Sequence, residues 1–151
     1  MALEVEIKLP IENLPQALAR LAALGFGPHH ERAFERNLVF NTEPGTLLRL
    51  RAFSGRNTLT YKGLAAPGPH KSREEIEVEV SDSAAFQEIL ARLGFHTVFV
   101  YEKYRAEYRR PGEAGVVTAD ETPFGNFFEI EGEPRWIDAT AAALGFAASD
   151  Y

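Results

Sequence analysis

The residues of this chain with the most chemical promise are charged, and they recur at every second position. Glu4 and Glu6 precede Lys8, Arg49 and Arg51 form a doublet, and Thr60 precedes Lys62. Arg73, Glu75, Glu77 and Glu79 follow, then Lys103 with Arg105, Thr118 with Asp120, and Glu129 with Glu131. A solvated strand face usually interleaves signs and mixes in Ser, Thr and Gln. Here Arg/Lys doublets and Glu doublets are kept apart. The planar fork of arginine suits phosphate oxygens. The acidic cluster offers only oxygen ligands, which favours Mg²⁺ or Mn²⁺ over zinc.

A spacing of two belongs to strands, whose successive side chains point to opposite faces. The intervening residues are apolar: Leu3/Val5/Ile7/Leu9, Leu48/Leu50, Leu59/Tyr61, Ile76/Val78, Tyr104/Ala106, Val117/Ala119 and Phe128/Ile130. After a first strand over 2–9, Asn13-Leu14-Pro15 opens a helix in which Leu14, Leu18, Leu21 and Leu24 fall at helical spacing, and Gly25 closes it. Strands are predicted around 36–40, 47–53 and 58–62, and the glycine- and proline-rich 63–69 reads as a mobile loop.

The first half then restarts. Glu75-Ile76-Glu77-Val78-Glu79-Val80 lies on Glu4-Val5-Glu6-Ile7-Lys8-Leu9. Ser81-Asp82-Ser83 caps a second helix over 84–93, which ends in Leu93-Gly94-Phe95 as the first ends in Leu24-Gly25-Phe26. Strands follow around 101–109, 116–120 and 126–131, with a third helical pattern over 137–146. The expectation is an α+β fold: two β-α-β-β-β repeats whose strands, mostly antiparallel, close an eight-stranded barrel with helices outside.

If the aliphatic side faces out under the helices, the charges line the interior. Burying them unpaired would cost several kcal/mol each. A ligand must then supply negative charge to the Arg/Lys set, and a divalent cation must supply positive charge to the carboxylates. A polyphosphate with a hard metal meets both demands. The plainer alternative, a sheet with its charged side in water and salt bridges between neighbours, stays open at this point.

The bulk composition narrows the field. A chain of 151 residues, 45% hydrophobic and 25% charged, suits one soluble globular domain over 1–151. With 16 basic and 22 acidic residues the net charge is −6, which argues against a nucleic-acid or anionic-membrane binder. The absence of cysteine excludes disulfides, thiolate metal sites and thiol nucleophiles. The first strand starts within two residues of Met1, with no apolar leader and no run of membrane-spanning length, so a cytoplasmic protein is expected.

Six ordered motifs resemble the CYTH superfamily, the triphosphate tunnel metalloenzymes. They are Glu4-x-Glu6-x-Lys8, Leu48-Arg49-Leu50-Arg51, Thr60-Tyr61-Lys62-Gly63, Lys71-Ser72-Arg73-Glu74-Glu75-Ile76-Glu77, Glu102-Lys103-Tyr104-Arg105, and Asp120-Glu121-Thr122-Pro123-Phe124-Gly125 running to Glu129-Ile130-Glu131-Gly132. The last resembles the class IV adenylyl cyclase branch, a relative of thiamine triphosphatase.

The resemblance implies a tunnel that takes a small-molecule triphosphate end-on: ATP, tripolyphosphate or thiamine triphosphate. Lys8, Arg49, Arg51, Lys62, Arg73, Lys103 and Arg105 would hold phosphate oxygens. Glu4, Glu6, Glu75, Glu77, Asp120, Glu129 and Glu131 would hold Mg²⁺ or Mn²⁺, with Lys62, Lys103, Glu4 and Glu6 as the catalytic set. The implied reaction is cyclisation of ATP to cyclic AMP and pyrophosphate. The alternatives are hydrolysis of a triphosphate and a non-catalytic polyphosphate-binding module. A homodimer is left open.

Where hydrolytic relatives carry a second-strand tyrosine paired with the lysine matching Lys62, this chain has Val39, which counts against tyrosine-assisted water attack. The short link from Asn41 to Leu47 and the stop at Tyr151 imply a more open tunnel.

Other residues read plainly. Glu79 suits a rim salt bridge, and Lys71-Ser72 lacks the phosphate-loop pattern. His29, His30, His70 and His96 have no zinc spacing, and no nucleophile-elbow motif is present. Trp136 reads as a packing residue, and Tyr61, Tyr104 and Tyr108 as core.

Overall fold

The computed structural model describes residues 2–151. Its elements run β1 (Ala2–Ile11), α1 (Leu14–Ala23), β2 (Gly27–Phe40), β3 (Leu47–Phe53), β4 (Arg56–Lys62), β5 (Lys71–Glu79), α2 (Ser83–Arg92), β6 (Thr97–Arg109), β7 (Val116–Thr122), β8 (Gly125–Glu131) and α3 (Pro134–Ala143), with a 3₁₀ turn at Ala148–Asp150. In the order β1-β5-β4-β3-β2-β6-β7-β8 the strands close into a barrel, as the repeat predicted. Antiparallel registers join β8 to β1, β3 to both β2 and β4, β4 to β5, and β7 to both β6 and β8. No helix among the described residues is long and apolar enough to cross a membrane.

β2 and β6 start earlier than their sequence patterns suggested, at Gly27 and Thr97. Their first residues mix His, Glu, Arg and bare aliphatics and carry no clean alternation. Ladder pairing, a tertiary effect, decides their extent.

Two compact units divide the chain. One comprises 4–33, 66–72 and 103–151, and the other, among the described residues, 2–3, 34–65 and 73–102. In the first, Ile7, Leu9 and Ile11 of β1, Val117 and Ala119 of β7, and Phe128 and Ile130 of β8 meet Leu21 of α1 and Ile137, Ala141 and Leu144 at α3. The apolar parity of these strands is therefore covered by helices. Asn13 caps α1 by accepting from Gln16 N–H at 3.0 Å, with Pro15 in the first turn, where a missing N–H does no harm. Trp136 is a packing residue, as expected. It stands edge-on to Phe26, donates from Nε1 to Glu113 at 2.7 Å, and lies so close to Gly115 that a Cβ there would clash with its ring.

The second unit has a smaller core. Phe40, Leu50 and Leu90 are buried, with Leu38, Leu48, Leu59, Val80, Phe86 and Phe95 against them. Asp82 caps α2 by accepting from Ala85 N–H at 3.0 Å. That helix leaves part of the apolar sheet face bare: Ile76 and Val78 are each 56% exposed. The expectation that helices and loops cover the whole outer face is corrected here. Tyr61 and Tyr104, read as core, are exposed too, and Arg32 stacks 3.9 Å over the Tyr104 ring. Of these three tyrosines, Tyr108 packs against a core.

The loop of residues 63–70 is tied at several points. Gly63 N–H donates to Glu74 and Ala66 N–H to Ser72. His70 Nε2 sits 2.8 Å from Asp138 on α3.

Candidate functional site

Much of the charged parity of the strands is buried as well as the apolar one. In the unit of β1, β7 and β8, Asp120 is 1% exposed, Lys103 8% and Arg105 6%. Arg105 forks onto Asp120, donating from Nε to Oδ1 at 2.7 Å and from a terminal nitrogen to Oδ2 at 2.8 Å. Lys103 Nζ reaches the same Oδ2 at 2.8 Å, and Arg105 also donates to Glu129 Oε2 at 3.2 Å. Register explains the first of these, since Arg105 lies directly opposite Asp120. Burial alone would raise the Asp120 carboxyl, but bonds and charge from Arg105 and Lys103 outweigh it and lower the pKa to about 2.

Beside this network, carboxylate oxygens of Glu4, Glu6 and Glu131 lie within 4.8 Å of one another. Glu6 stands opposite Glu131 in the β1–β8 ladder, and Glu4 is 7% exposed. Three like charges this close repel one another, and a hard divalent cation held by this all-oxygen donor set would relieve that repulsion. The residues fit Mg²⁺ or Mn²⁺. Lys8, opposite Glu129, is exposed and lies 4.5 Å over the Phe127 ring.

The other unit carries its own set. Arg49 and Lys62 are 7% and 6% exposed. Lys62 faces Glu75 across the β4–β5 ladder with 3.6 Å between charged atoms. One pair lower, Thr60 donates to Glu77 at 3.1 Å, and Glu77 itself is exposed. Arg49 donates to the Tyr101 hydroxyl at 3.1 Å, while its Nε is buried without a hydrogen-bond partner, as is Arg73 Nε. Leaving a buried donor unsatisfied costs about 1–3 kcal/mol, and anionic oxygens are the natural partners for guanidinium donors. Glu79 makes the rim salt bridge expected of it, an exposed two-bond pair with Arg56.

Three residues on these faces escaped the sequence reading: Glu35, Asn37 and Tyr101. Glu35 and Asn37 share the parity of Val39 on β2, but the strand was predicted to start only at Arg36, so Glu35 had no face assigned. Tyr101 shares the parity of Lys103 and Arg105, a signal present in the sequence but masked by the aromatic side chain. Arg51 donates from Nε to Asn37 at 3.2 Å and lies 3.2 Å from Glu35.

The sequence profile of the CYTH domain matches residues 2–143. This chain belongs to the CYTH family. A protein of Methanocaldococcus jannaschii, provisionally named an adenylate cyclase, is 33% identical over 136 residues, covering 85% of this chain and 76% of its own. A solved Pyrococcus horikoshii structure superposes with a TM-score of 0.85 at 25% identity, over 97% of this chain and 93% of that one. A Hippeastrum structure, described as an adenylyl cyclase candidate with a dominant triphosphatase activity, shares the fold. Its TM-score is 0.61 at 23% identity, over 95% of this chain and 88% of that one. The CYTH membership, the barrel and the adenylate-cyclase naming of a relative agree with the resemblance drawn from the motifs.

Proposed function

We propose that this CYTH protein is a divalent-metal-dependent enzyme acting on a small-molecule triphosphate, and that it converts ATP to cyclic AMP and pyrophosphate. The observation that carries this reading is the burial of cations in each unit, Arg49 and Lys62 in one and Lys103 and Arg105 in the other, the latter pair in the unit that also holds the Glu4–Glu6–Glu131 cluster. A face meant only for solvent would not hide its cations. The name of the Methanocaldococcus jannaschii relative supports the cyclase label.

On this reading Lys8, Arg49, Arg51, Lys62, Arg73, Lys103 and Arg105 hold phosphate oxygens, with Lys62 and Lys103 nearest the reacting groups. Glu4, Glu6 and Glu131 hold Mg²⁺ or Mn²⁺, with Glu75, Glu77, Asp120 and Glu129 supporting. A bound ion supplies charge neutralisation at the reacting phosphate. The ribose 3′ hydroxyl loses its proton to water, its oxygen forms the bond to the α-phosphorus, and the bond to the departing pyrophosphate breaks. The basic residues take up the charge left on that pyrophosphate.

Hydrolysis is the second reading, and one observation favours it. Although Val39 stands in the slot where a tyrosine was sought, Tyr101 brings a phenol to the charged face, within 3.1 Å of Arg49.

Incubating the protein with ATP, GTP, thiamine triphosphate or tripolyphosphate and Mg²⁺ or Mn²⁺ separates the readings. Cyclic AMP with pyrophosphate is the expected outcome, and orthophosphate replaces it with hydrolysis. Protection from melting without products indicates a binding module. If no triphosphate is bound or turned over, the proposal is overturned.

A further inference from the structure

Glu35 and Asn37 are both fully buried, at 0% exposure, and belong to neither the basic nor the acidic set described above. Asn37 Nδ2 donates to Glu35 Oε2 at 2.9 Å. Arg51 Nε donates to Asn37 Oδ1 at 3.2 Å and stands 3.2 Å from Glu35 Oε1. Asn37 is the direct ladder partner of Arg51, so β2 places both groups against the same guanidinium.

A carboxylate with no access to water is tolerated only when paired and hydrogen-bonded. Simple neutralisation of Arg51 would not need that burial, because an exposed glutamate at the rim does the same for Arg56. Burial on a rigid strand adds orientation. A long arginine side chain gives up rotamer freedom when it binds, and a partner that holds it beforehand removes that loss from the binding step. The other unit repeats the device, with Asp120 holding Lys103 and Arg105 from the neighbouring strand.

We infer that Glu35, seconded by Asn37, is a positioning residue for triphosphate binding: it holds the Arg51 guanidinium in the orientation that meets a phosphate, and touches no substrate itself. This rests on the proposed triphosphate site. Asparagine contributes a fixed amide that bonds Glu35 with its nitrogen and Arg51 with its oxygen, which locks the geometry of the trio.

The test measures tripolyphosphate affinity by calorimetry with Mg²⁺ present, on the full chain and on Glu35→Gln, Asn37→Ala, Arg51→Ala and the Glu35→Gln/Arg51→Ala double variant. Glu35→Gln weakens binding about tenfold, Asn37→Ala several-fold, and Glu35→Gln adds nothing once Arg51 is gone. In turnover the losses fall on KM rather than kcat. A folded Glu35→Gln that binds like the parent overturns the inference, as do losses from Glu35→Gln and Arg51→Ala that simply multiply. Should Glu35→Gln fail to fold, parent-like binding by Asn37→Ala overturns it equally. A parent that binds no triphosphate removes the proposed function and this inference together. Parent binding with unchanged variants removes the inference alone.

Discussion

Asp120 bonds three nitrogens of Lys103 and Arg105 from a position with almost no access to water. Replacing it with Asn removes the buried negative charge that Lys103 and Arg105 share, and breaking such a pair costs about 3–5 kcal/mol. Asp120→Asn is therefore expected to lower the unfolding free energy by that amount in urea melts, with the m-value unchanged. The acid limb follows from the same contacts. With a folded pKa of about 2 against an unfolded value near 4, the folded protein binds fewer protons in that window. The stability from this carboxylate, about 2 kcal/mol, is full above the unfolded value and is lost as pH falls through the folded one. Urea midpoints measured between pH 5 and 2 should fall accordingly, and less so in Asp120→Asn. Glu131→Gln removes one carboxylate from the Glu4–Glu6–Glu131 cluster and is expected to blunt the rise in melting temperature that Mg²⁺ or Mn²⁺ gives the parent.

At the level of the elements, the sorting of charge by strand has a simple cause. Two antiparallel ladders set a basic strand beside an acidic one, so Lys62 meets Glu75 and Arg105 meets Asp120 directly across a pair, while β1 and β8 bring Glu6 and Glu131 together. That sorting was visible in the sequence because strand parity is a period-two property, and so were the repeat, the caps at Asn13 and Asp82 and the closed barrel. Glu35 was not, because the start of β2 depends on pairing and not on its own alternation. The exposure of Tyr61 and Tyr104 was missed for a related reason: apolar parity says which side a residue faces, but the reach of a helix decides whether that side is covered. The two cores make this testable. Leu21→Ala, in the helix-covered core, should cost about 2–5 kcal/mol in denaturant unfolding. Ile76→Thr on the bare face should stay within about 0.5 kcal/mol of the parent.

For the molecule as a whole, a small β protein here buries charged side chains alongside its apolar cores and leaves part of an apolar strand face bare. Arginines, lysines and carboxylates are buried while Ile76, Val78 and Tyr61 face outward. Such an interior is stable only if its charges are balanced, partly by one another, as at Asp120, and partly by what the protein binds. The account stands most directly on calorimetric titration of tripolyphosphate into the intact protein, with and without Mg²⁺. It predicts saturable binding of one triphosphate per chain that tightens with the metal and weakens steeply in Arg51→Ala and Lys62→Ala. Heats that neither saturate nor respond to the metal, or variants that bind as the parent does, would contradict it.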